Sequence, residues 1–301
     1  MSEEIKLSHR AKIIKELVAL FNKNEILRNK FSAGSEKPIP EKEYKYSDEF
    51  DVEYVELSNC NAEFIKPKEN LSKWVIIQLH GGGYIGGLKN SYRNLAGLYS
   101  EAGNGAAVLT LDYRIAPEHV FPAALEDAMD AYEWVINKGY SEEDIILAGD
   151  SAGGGLALGL CHYLKDKGRK LPKAVVAISP WADLTGSGAS YTENVEIDPV
   201  FGSRPEAVIG SSYIGEDSAE NPYISPMFGD FTGFPKLLIQ VGTDEMLLSD
   251  SQTVRDKACE AGVSVEYTEY QGMFHVFQLA GKLMPESKQA WEQIKEFIDE
   301  L

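Results

Sequence analysis

Short apolar runs alternate with amphipathic segments along most of the chain. The runs lie near residues 50–57, 62–66, 74–79, 106–111, 144–148, 174–179, 236–241 and 263–269, and they predict eight strands. Patterns of helical period separate the later runs, near residues 91–102, 123–138, 153–167, 248–261 and 284–300. Repeated strand–helix–strand units predict an α/β fold with a mostly parallel sheet flanked by helices, in which the first two or three strands are antiparallel.

Two segments depart from this alternation. Residues 4–22 carry apolar positions near helical spacing and predict an N-terminal helix. Between the sixth and seventh strands, residues 183–232 are rich in Gly, Ser, Asn and Pro, with one plausible helix near 205–214. Because a structureless loop of that length is unusual, we predict an inserted cap that closes over a site. The predicted division is residues 1–45 (N-terminal helical cap segment), 46–182 and 233–301 (catalytic domain) and 183–232 (cap insertion).

The first candidate for chemistry is a serine between glycines. Residues 149–154 read Gly-Asp-Ser-Ala-Gly-Gly and stand between the fifth apolar run and a helical pattern. Glycines permit a strand-to-helix turn that is too tight for other side chains, and such a turn exposes one hydroxyl. Ser151 is therefore the candidate nucleophile.

A glycine run follows the third apolar run, in the sequence His80-Gly-Gly-Gly-Tyr84. Its backbone N–H groups have no side chains in front of them, so an oxyanion that forms on an attacked carbonyl could approach them closely. We expect the backbone N–H groups of Gly82 and Gly83 to stabilise that negative charge.

To act as a nucleophile, a serine hydroxyl also needs a base that takes its proton and a carboxylate that orients this base. Of the five histidines, His275 is the one that lies downstream in a loop, directly after the last predicted strand, so it is the candidate base. The carboxylate that orients it should end the preceding strand, and Asp244 follows that strand most directly. Glu245 and Asp250 are the alternatives, although acids at such a position are more often solvated residues at a helix start.

The chain order Ser151, Asp244, His275 is the order of the α/β-hydrolase fold, which the alternation and the serine turn resemble. Three motifs resemble those of the hormone-sensitive-lipase-like carboxylesterases, also called bacterial family IV. They are His80-Gly-Gly-Gly, Gly149-Asp-Ser-Ala-Gly153 and Asp112-Tyr-Arg-Ile-Ala-Pro-Glu-His119. The resemblance spans residues 74–277 and includes Ser179-Pro-Trp181.

This resemblance implies an oxyanion hole made by the N–H groups of Gly82, Gly83 and Ala152. It also implies structural rather than proton-transfer roles for His80, Asp112, Tyr113 and Arg114. One departure concerns the acid: members with this serine motif often read Asp-Pro-Leu there, whereas this chain reads Asp244-Glu-Met246. The candidate substrate contacts are Tyr84, Phe201, Tyr213, Met246 and Phe274.

Charge and cysteine content narrow the possible partners. The formal net charge is −18, from 47 acidic and 29 basic residues, which opposes binding to nucleic acid or to an anionic membrane. Cys60, Cys161 and Cys259 are widely spaced, so we expect three thiols and no structural metal. The N-terminus lacks an uninterrupted apolar segment and no stretch is apolar enough to span a bilayer, so a cytoplasmic location is expected.

Together these features predict a serine carboxylesterase that acts on a small-molecule ester through an acyl-enzyme, without a cofactor. The resemblance implies short acyl chains, from acetyl to about hexanoyl. A small-amide hydrolase or deacetylase would use the same triad, and a non-catalytic small-ligand-binding protein of this fold is a further alternative. The last predicted strand, residues 263–270, would leave a sheet edge unpaired and suggests a homodimer through that edge.

Overall fold

The computed structural model describes residues 7–24 and 41–301, and within them the chain forms one eight-stranded sheet. The order across the sheet is β1-β2-β4-β3-β5-β6-β7-β8. The strands are β1 Phe50–Glu56, β2 Asn61–Pro67, β3 Val75–Leu79, β4 Ala107–Asp112, β5 Ile145–Asp150, β6 Ala174–Ile178, β7 Lys236–Gly242 and β8 Val265–Tyr270. β1 pairs antiparallel with β2, and β2 antiparallel with β4, whereas all other neighbours are parallel. The predicted α/β-hydrolase sheet is thus confirmed, and β3 belongs to its parallel part.

Helices cover both faces of this sheet. The helices are α1 His9–Lys23, α2 Asn90–Ala102, α3 Ala123–Asn137, α4 Ala152–Asp166, α5 Leu248–Glu260 and α6 Pro285–Asp299. Helices α2 to α6 pack on the strands, whereas α1 packs against α6. Every residue of β3, β5 and β6 is buried, because parallel strands with helices on both faces have no solvent side. Successive residues alternate between the two cores: Ile77 and Leu147 pack on the α3 and α4 side, and Ile76 and Ile146 on the α2 and α6 side.

The segment between β6 and β7 has little regular structure. It contains one helical turn, Ser190–Glu193, and 3₁₀ turns at Pro205–Val208, Ser212–Ile214 and Pro226–Phe228. The single helix predicted near residues 205–214 is wrong, because Gly210, at φ 69°, separates two short turns. The division of the chain into a catalytic domain and a cap remains a prediction.

The N-terminal helix begins later than its sequence pattern. Ser8 caps it by accepting a hydrogen bond from the N–H of Ala11, and predicted residues 4–6 lie outside the described residues. At the other end of the chain β8 forms one edge of the sheet, and the homodimer through it stays a prediction.

The three cysteines are free thiols, as expected. Among the helices of residues 7–24 and 41–301, none has the length and apolarity needed to cross a membrane.

Candidate active site

Ser151 occupies the turn between β5 and α4 in a strained backbone conformation. Its φ of 52° and ψ of −122° fall where an L-residue with a side chain is rarely found. The N–H of Ser151 donates to the carbonyl of Ile178 (2.9 Å), and its own carbonyl accepts from the N–H groups of Trp181 (2.9 Å) and Gly155 (3.0 Å). These bonds to surrounding backbone hold the strained turn, which projects the hydroxyl away from the sheet.

The turn requires glycine on both sides of the serine because backbone approaches backbone there. A Cβ on Gly149 would collide with the carbonyl of Gly153, and a Cβ on Gly153 would collide with the carbonyl of Leu79. The close approach of α4 to the end of β3 therefore depends on the absence of side chains. It also brings Ser151 next to the glycine run that follows β3.

His275 lies in the loop after β8 and bridges the serine to a carboxylate. In the neutral ring, Nε2 accepts from the Ser151 hydroxyl over 2.9 Å, and Nδ1–H donates to Oε2 of Glu245 over 2.8 Å. The structure therefore brings Ser151 and His275 together as the sequence indicated. This arrangement fixes the tautomer in which the nitrogen facing the serine is free to take a proton.

Glu245 is fully buried, and its second carboxylate oxygen also accepts hydrogen bonds. Its Oε1 accepts from the Ser179 hydroxyl over 2.7 Å and from the N–H of Gly242 over 2.5 Å. Ser179 is also the acceptor for the N–H of Val276, the residue after the histidine, over 3.3 Å. These bonds hold the carboxylate in one orientation against the imidazole.

The prediction that Asp244 orients His275 is wrong. The turn after β7 directs the Asp244 carboxylate outward, where it pairs with Lys15 of α1 and accepts from the Thr243 hydroxyl (3.1 Å). The next residue, Glu245, points inward, and its longer side chain reaches the ring. The criterion that the acid directly follows the strand therefore chose Asp244, although its neighbour Glu245 is the residue that contacts the ring.

Asp250, the other alternative, serves a different purpose. It is buried at the start of α5 and accepts from the N–H groups of Ala182 and Asp183, each over 2.8 Å, and from the Tyr191 hydroxyl over 3.2 Å. Burial, and next the charge of Asp183, raise its pKa well above the usual range. Its partners anchor the segment after β6 rather than His275.

The glycine run after β3 forms a tight loop facing the serine. Gly82 and Gly83 adopt φ values of 114° and 65°, which glycine reaches without steric cost, and both line the same cavity as Ser151 and His275. Within residues 7–24 and 41–301, no group accepts a hydrogen bond from the N–H of Gly82, Gly83 or Ala152. Three backbone donors therefore remain available beside the hydroxyl.

His80 supports this loop from below as a buried, neutral ring. It stacks on Tyr113 with ring centroids 4.1 Å apart, and its Nδ1–H donates to the carbonyl of Gly81 over 2.7 Å. The Tyr113 hydroxyl donates to the His80 carbonyl over 2.6 Å. Burial lowers the pKa of His80 to about 4, so the ring carries no charge at neutral pH.

Asp150, the residue before the serine, ties the elbow to the glycine loop. Its carboxyl is buried and accepts from the N–H of Gly81 over 3.2 Å. Burial raises its pKa to about 7, although the charge of His275 and the Gly81 N–H both act to lower it. The sequence reasoning overlooked this role, even though the residue lies inside the serine motif.

A cavity of about 520 Å³ opens above the serine. One side of it, here called the outer wall, consists of α1 and residues 199–208. The lining residues of this wall are mostly apolar: Ile14, Val18, Phe21, Val200, Phe201 and Val208. The first three recur at helical spacing, a pattern that pointed to a buried face without identifying a cavity.

Comparison with known proteins places this site in a family. Residues 76–279 match the profile of a family described by its alpha/beta hydrolase fold. An acetyl-hydrolase of Streptomyces hygroscopicus is 39% identical over 244 residues, which cover 81% of each chain. A solved esterase of the bacterial hormone-sensitive lipase family superposes with a TM-score of 0.84 at 31% identity, covering 98% of this chain and 99% of that one. The chain belongs to the hormone-sensitive-lipase-like carboxylesterases. An esterase/lipase from an uncultured bacterium is equally similar, with a TM-score of 0.84 at 34% identity, covering 97% and 98% of the two chains.

In this carboxylesterase two of the five predicted substrate contacts line the cavity. Phe201 and Phe274 do so, and Phe201 lies against His275 with ring centroids 4.8 Å apart. The other three are fully buried side chains outside the cavity lining, so their predicted contact with substrate is wrong. Tyr84 and Tyr213 stack on each other at 3.9 Å, and Met246 packs in the core beneath its own turn.

The esterase motif around Asp112 has structural partners, as the resemblance implied. Arg114 forms an ion pair with Asp127 over 2.8 Å, and Asp112 accepts from the N–H of Leu88 over 3.2 Å. The misassigned acid did leave a signal in the sequence. This chain has Glu245 where the family often has proline, and an additional carboxylate in that position points to Glu245 as the acid.

Proposed function

We propose that this chain hydrolyses short-chain carboxylic esters, from acetyl to about hexanoyl, through an acyl-enzyme on Ser151. The observation that carries the proposal is the continuous hydrogen-bonded series Ser151–His275–Glu245 at the base of an open cavity. An imidazole between a hydroxyl and a buried carboxylate is the arrangement that makes serine nucleophilic.

In the proposed reaction His275 removes the hydroxyl proton while the Ser151 oxygen attacks the ester carbonyl carbon. The N–H groups of Gly82, Gly83 and Ala152 would stabilise the carbonyl oxygen as it becomes negative. The carbon–oxygen bond to the alcohol then breaks, and the departing oxygen takes the proton from His275. In the second half, water gives a proton to His275 and attacks the acyl carbonyl carbon. The bond from that carbon to the Ser151 oxygen then breaks, His275 returns the proton to this oxygen, and the carboxylic acid leaves.

Glu245 acts in both halves of this cycle by stabilising the imidazolium while it holds the proton. The carboxylate is suited to that role because it is buried and its other oxygen already accepts two hydrogen bonds. A buried negative charge interacts with a neighbouring cation more strongly than one in water does.

The cavity fits a small-molecule ester. Its volume of about 520 Å³ is in the range of sites that enclose small ligands, and its outer wall is mostly apolar. The name of one relative, an acetyl-hydrolase, points to the smallest acyl group in the proposed range.

Initial rates on p-nitrophenyl acetate, butyrate, octanoate and palmitate test the proposal, with wild type and Ser151→Ala assayed in parallel. We expect rates that fall beyond hexanoyl, and a loss of about six orders of magnitude in kcat for Ser151→Ala, as for other serine hydrolases of this mechanism. Undiminished turnover in the variant would overturn the mechanism.

Two other results would redirect the proposal. Faster hydrolysis of the palmitate than of the acetate would contradict the short-chain preference. Activity on matched anilides without activity on any ester would instead indicate an amide hydrolase with the same residues.

A further inference from the structure

Helix α1 contacts the rest of the molecule through polar contacts along its whole length. At its start, the N–H and hydroxyl of Ser8 donate to the carboxylate of Glu286 over 2.7 and 2.9 Å. At its end, the Asn22 amide donates to the carbonyl of Pro199 over 3.2 Å. Near its middle, Lys15 forms an ion pair with Asp244 and donates to the carbonyl of Gly272 over 3.0 Å.

The middle contact differs from the other two because it bridges the two loops that carry the acid and the base. Asp244 immediately precedes Glu245 in the loop after β7. Gly272 stands three residues before His275 in the loop after β8. One ammonium group on α1 therefore binds both loops, one residue before the acid and three residues before the base.

The two loops are also bonded to each other around this ammonium. The N–H of Gly272 donates to the Thr243 hydroxyl over 2.7 Å, and the N–H of Asp244 donates to the carbonyl of Met273 over 3.0 Å. The Thr243 hydroxyl in turn donates to the Asp244 carboxylate. Movement of Lys15 would therefore be transmitted to the backbone on either side of the acid and the base.

Charge and burial favour this bridge. The side chains of Lys15 and Asp244 are 21% and 20% exposed, so the pair is less screened than an ion pair on the open surface. Leu7, just before the start of α1, packs against Gly272. Asp244, which the sequence suggested as the acid of the triad, is thus the neighbour of the actual acid, Glu245, and pairs with Lys15.

We propose that Lys15 is a positioning residue of the active site. Through its contacts with Asp244 and Gly272 it keeps Glu245 and His275 at hydrogen-bonding distance from each other. The same contacts fix α1 in its place as part of the outer wall. The inference rests on the proposed function, in which that pair serves Ser151. It gives Asp244 a role in the reaction that involves neither substrate contact nor proton transfer.

Lys15→Met tests this by removing the charge while keeping a long, unbranched stem. We expect kcat on p-nitrophenyl acetate to fall about tenfold, because small displacements of reacting groups reduce rates strongly. Asp244→Asn should have a similar effect, and the double variant should lose no more than either single one. Lys15→Arg should recover most of the rate. The matched control is Lys12→Met, an exposed lysine on the same helix, which should behave like wild type.

Hydrogen exchange supplies a readout that is independent of ester hydrolysis. In Lys15→Met, peptides covering residues 242–247 and 271–277 should exchange faster together with the α1 peptide, and in Lys12→Met they should not. If α1 alone loosens and kcat on the acetate is unchanged, Lys15 merely anchors the helix and the inference is wrong. If wild type hydrolyses no ester, the proposed function fails, and the exchange pattern alone decides whether the bridge aligns the two loops.

Discussion

The serine turn and the outer wall face each other across one cavity, but they are built in opposite ways. The turn is held by backbone bonds and by glycines whose neighbours leave no space for a side chain. The wall is held by a few side-chain contacts, and its helix exposes Leu17 and Leu20 at 59% and 65%. The reacting serine therefore lies where the fold permits least change. Substrate fit resides where individual side chains can be exchanged at little cost in stability.

The largest effect is expected at the turn, from Gly153→Ala. The added methyl would meet the carbonyl of Leu79, which is backbone at the end of a central strand and cannot yield. We expect a loss of more than about 4 kcal/mol in the free energy of unfolding, as for the most disruptive single changes. Urea denaturation checks this.

Gly97→Ala is the matched control for that variant. Gly97 lies inside α2 with open space where its Cβ would be, so alanine should stabilise the protein by up to about 1 kcal/mol. Equal stability of the two variants would show that the turn is not constrained by close approach.

The second effect concerns the buried carboxyl beneath the glycine loop. Burial raises the pKa of Asp150 from 3.8 to about 7, so between these values the folded chain keeps a proton that the unfolded chain releases. Stability is therefore lost as pH rises from about 4 to about 7, by up to about 4 kcal/mol. Asp150→Asn cannot ionise but keeps an acceptor for Gly81, so its stability relative to wild type should increase over this window.

Urea denaturation of both proteins at pH 4.5 and pH 8 measures that change. A difference between wild type and Asp150→Asn that is the same at both pH values would contradict the raised pKa. It would then follow that the carboxyl is ionised in the fold throughout, held by the Gly81 N–H.

The smallest effect is expected at the wall, from Val18→Ala. Val18 lines the cavity, and losing its methyl groups removes about 1 kcal/mol of apolar contact with a bound acyl or alcohol chain. KM for p-nitrophenyl butyrate should rise about fivefold, with kcat and thermal stability little changed. Leu17→Ala, on the outward side of the same helix, should leave KM where it is. A larger effect of Leu17→Ala than of Val18→Ala would reverse the assignment of the two helix faces.

The same contrast explains how far sequence could predict the structure. The strands, the helices and the serine turn are local patterns, in which apolar period and glycine spacing directly reflect backbone geometry. The choice between Asp244 and Glu245 depends on which way a two-residue turn points them, and neighbouring positions in a sequence do not encode that direction. The reason that Tyr84 and Tyr213 misled is different: an aromatic residue fills a core as readily as it lines a pocket.

The outer wall was the least predictable part for a related reason. Its helix pattern indicated that Ile14, Val18 and Phe21 share a face, but the other part of the wall comes from residues 199–208, far along the chain. Contacts between segments so distant in the chain carry no local signature. The helix predicted near 205–214 failed because Gly210 interrupts it at φ 69°, and its N–H donates to the carbonyl of Leu184 over 2.8 Å rather than to a helical partner.

The central claim is that Glu245, and not Asp244, orients the base of the serine site. Its most direct test is kcat of Glu245→Gln and Asp244→Asn, side by side on p-nitrophenyl acetate. The amide of Glu245→Gln would favour the wrong imidazole tautomer, so we expect a loss of about 10⁴, against about tenfold for Asp244→Asn. A kcat that falls several thousandfold in Asp244→Asn, while Glu245→Gln keeps a kcat close to that of wild type, would contradict the account.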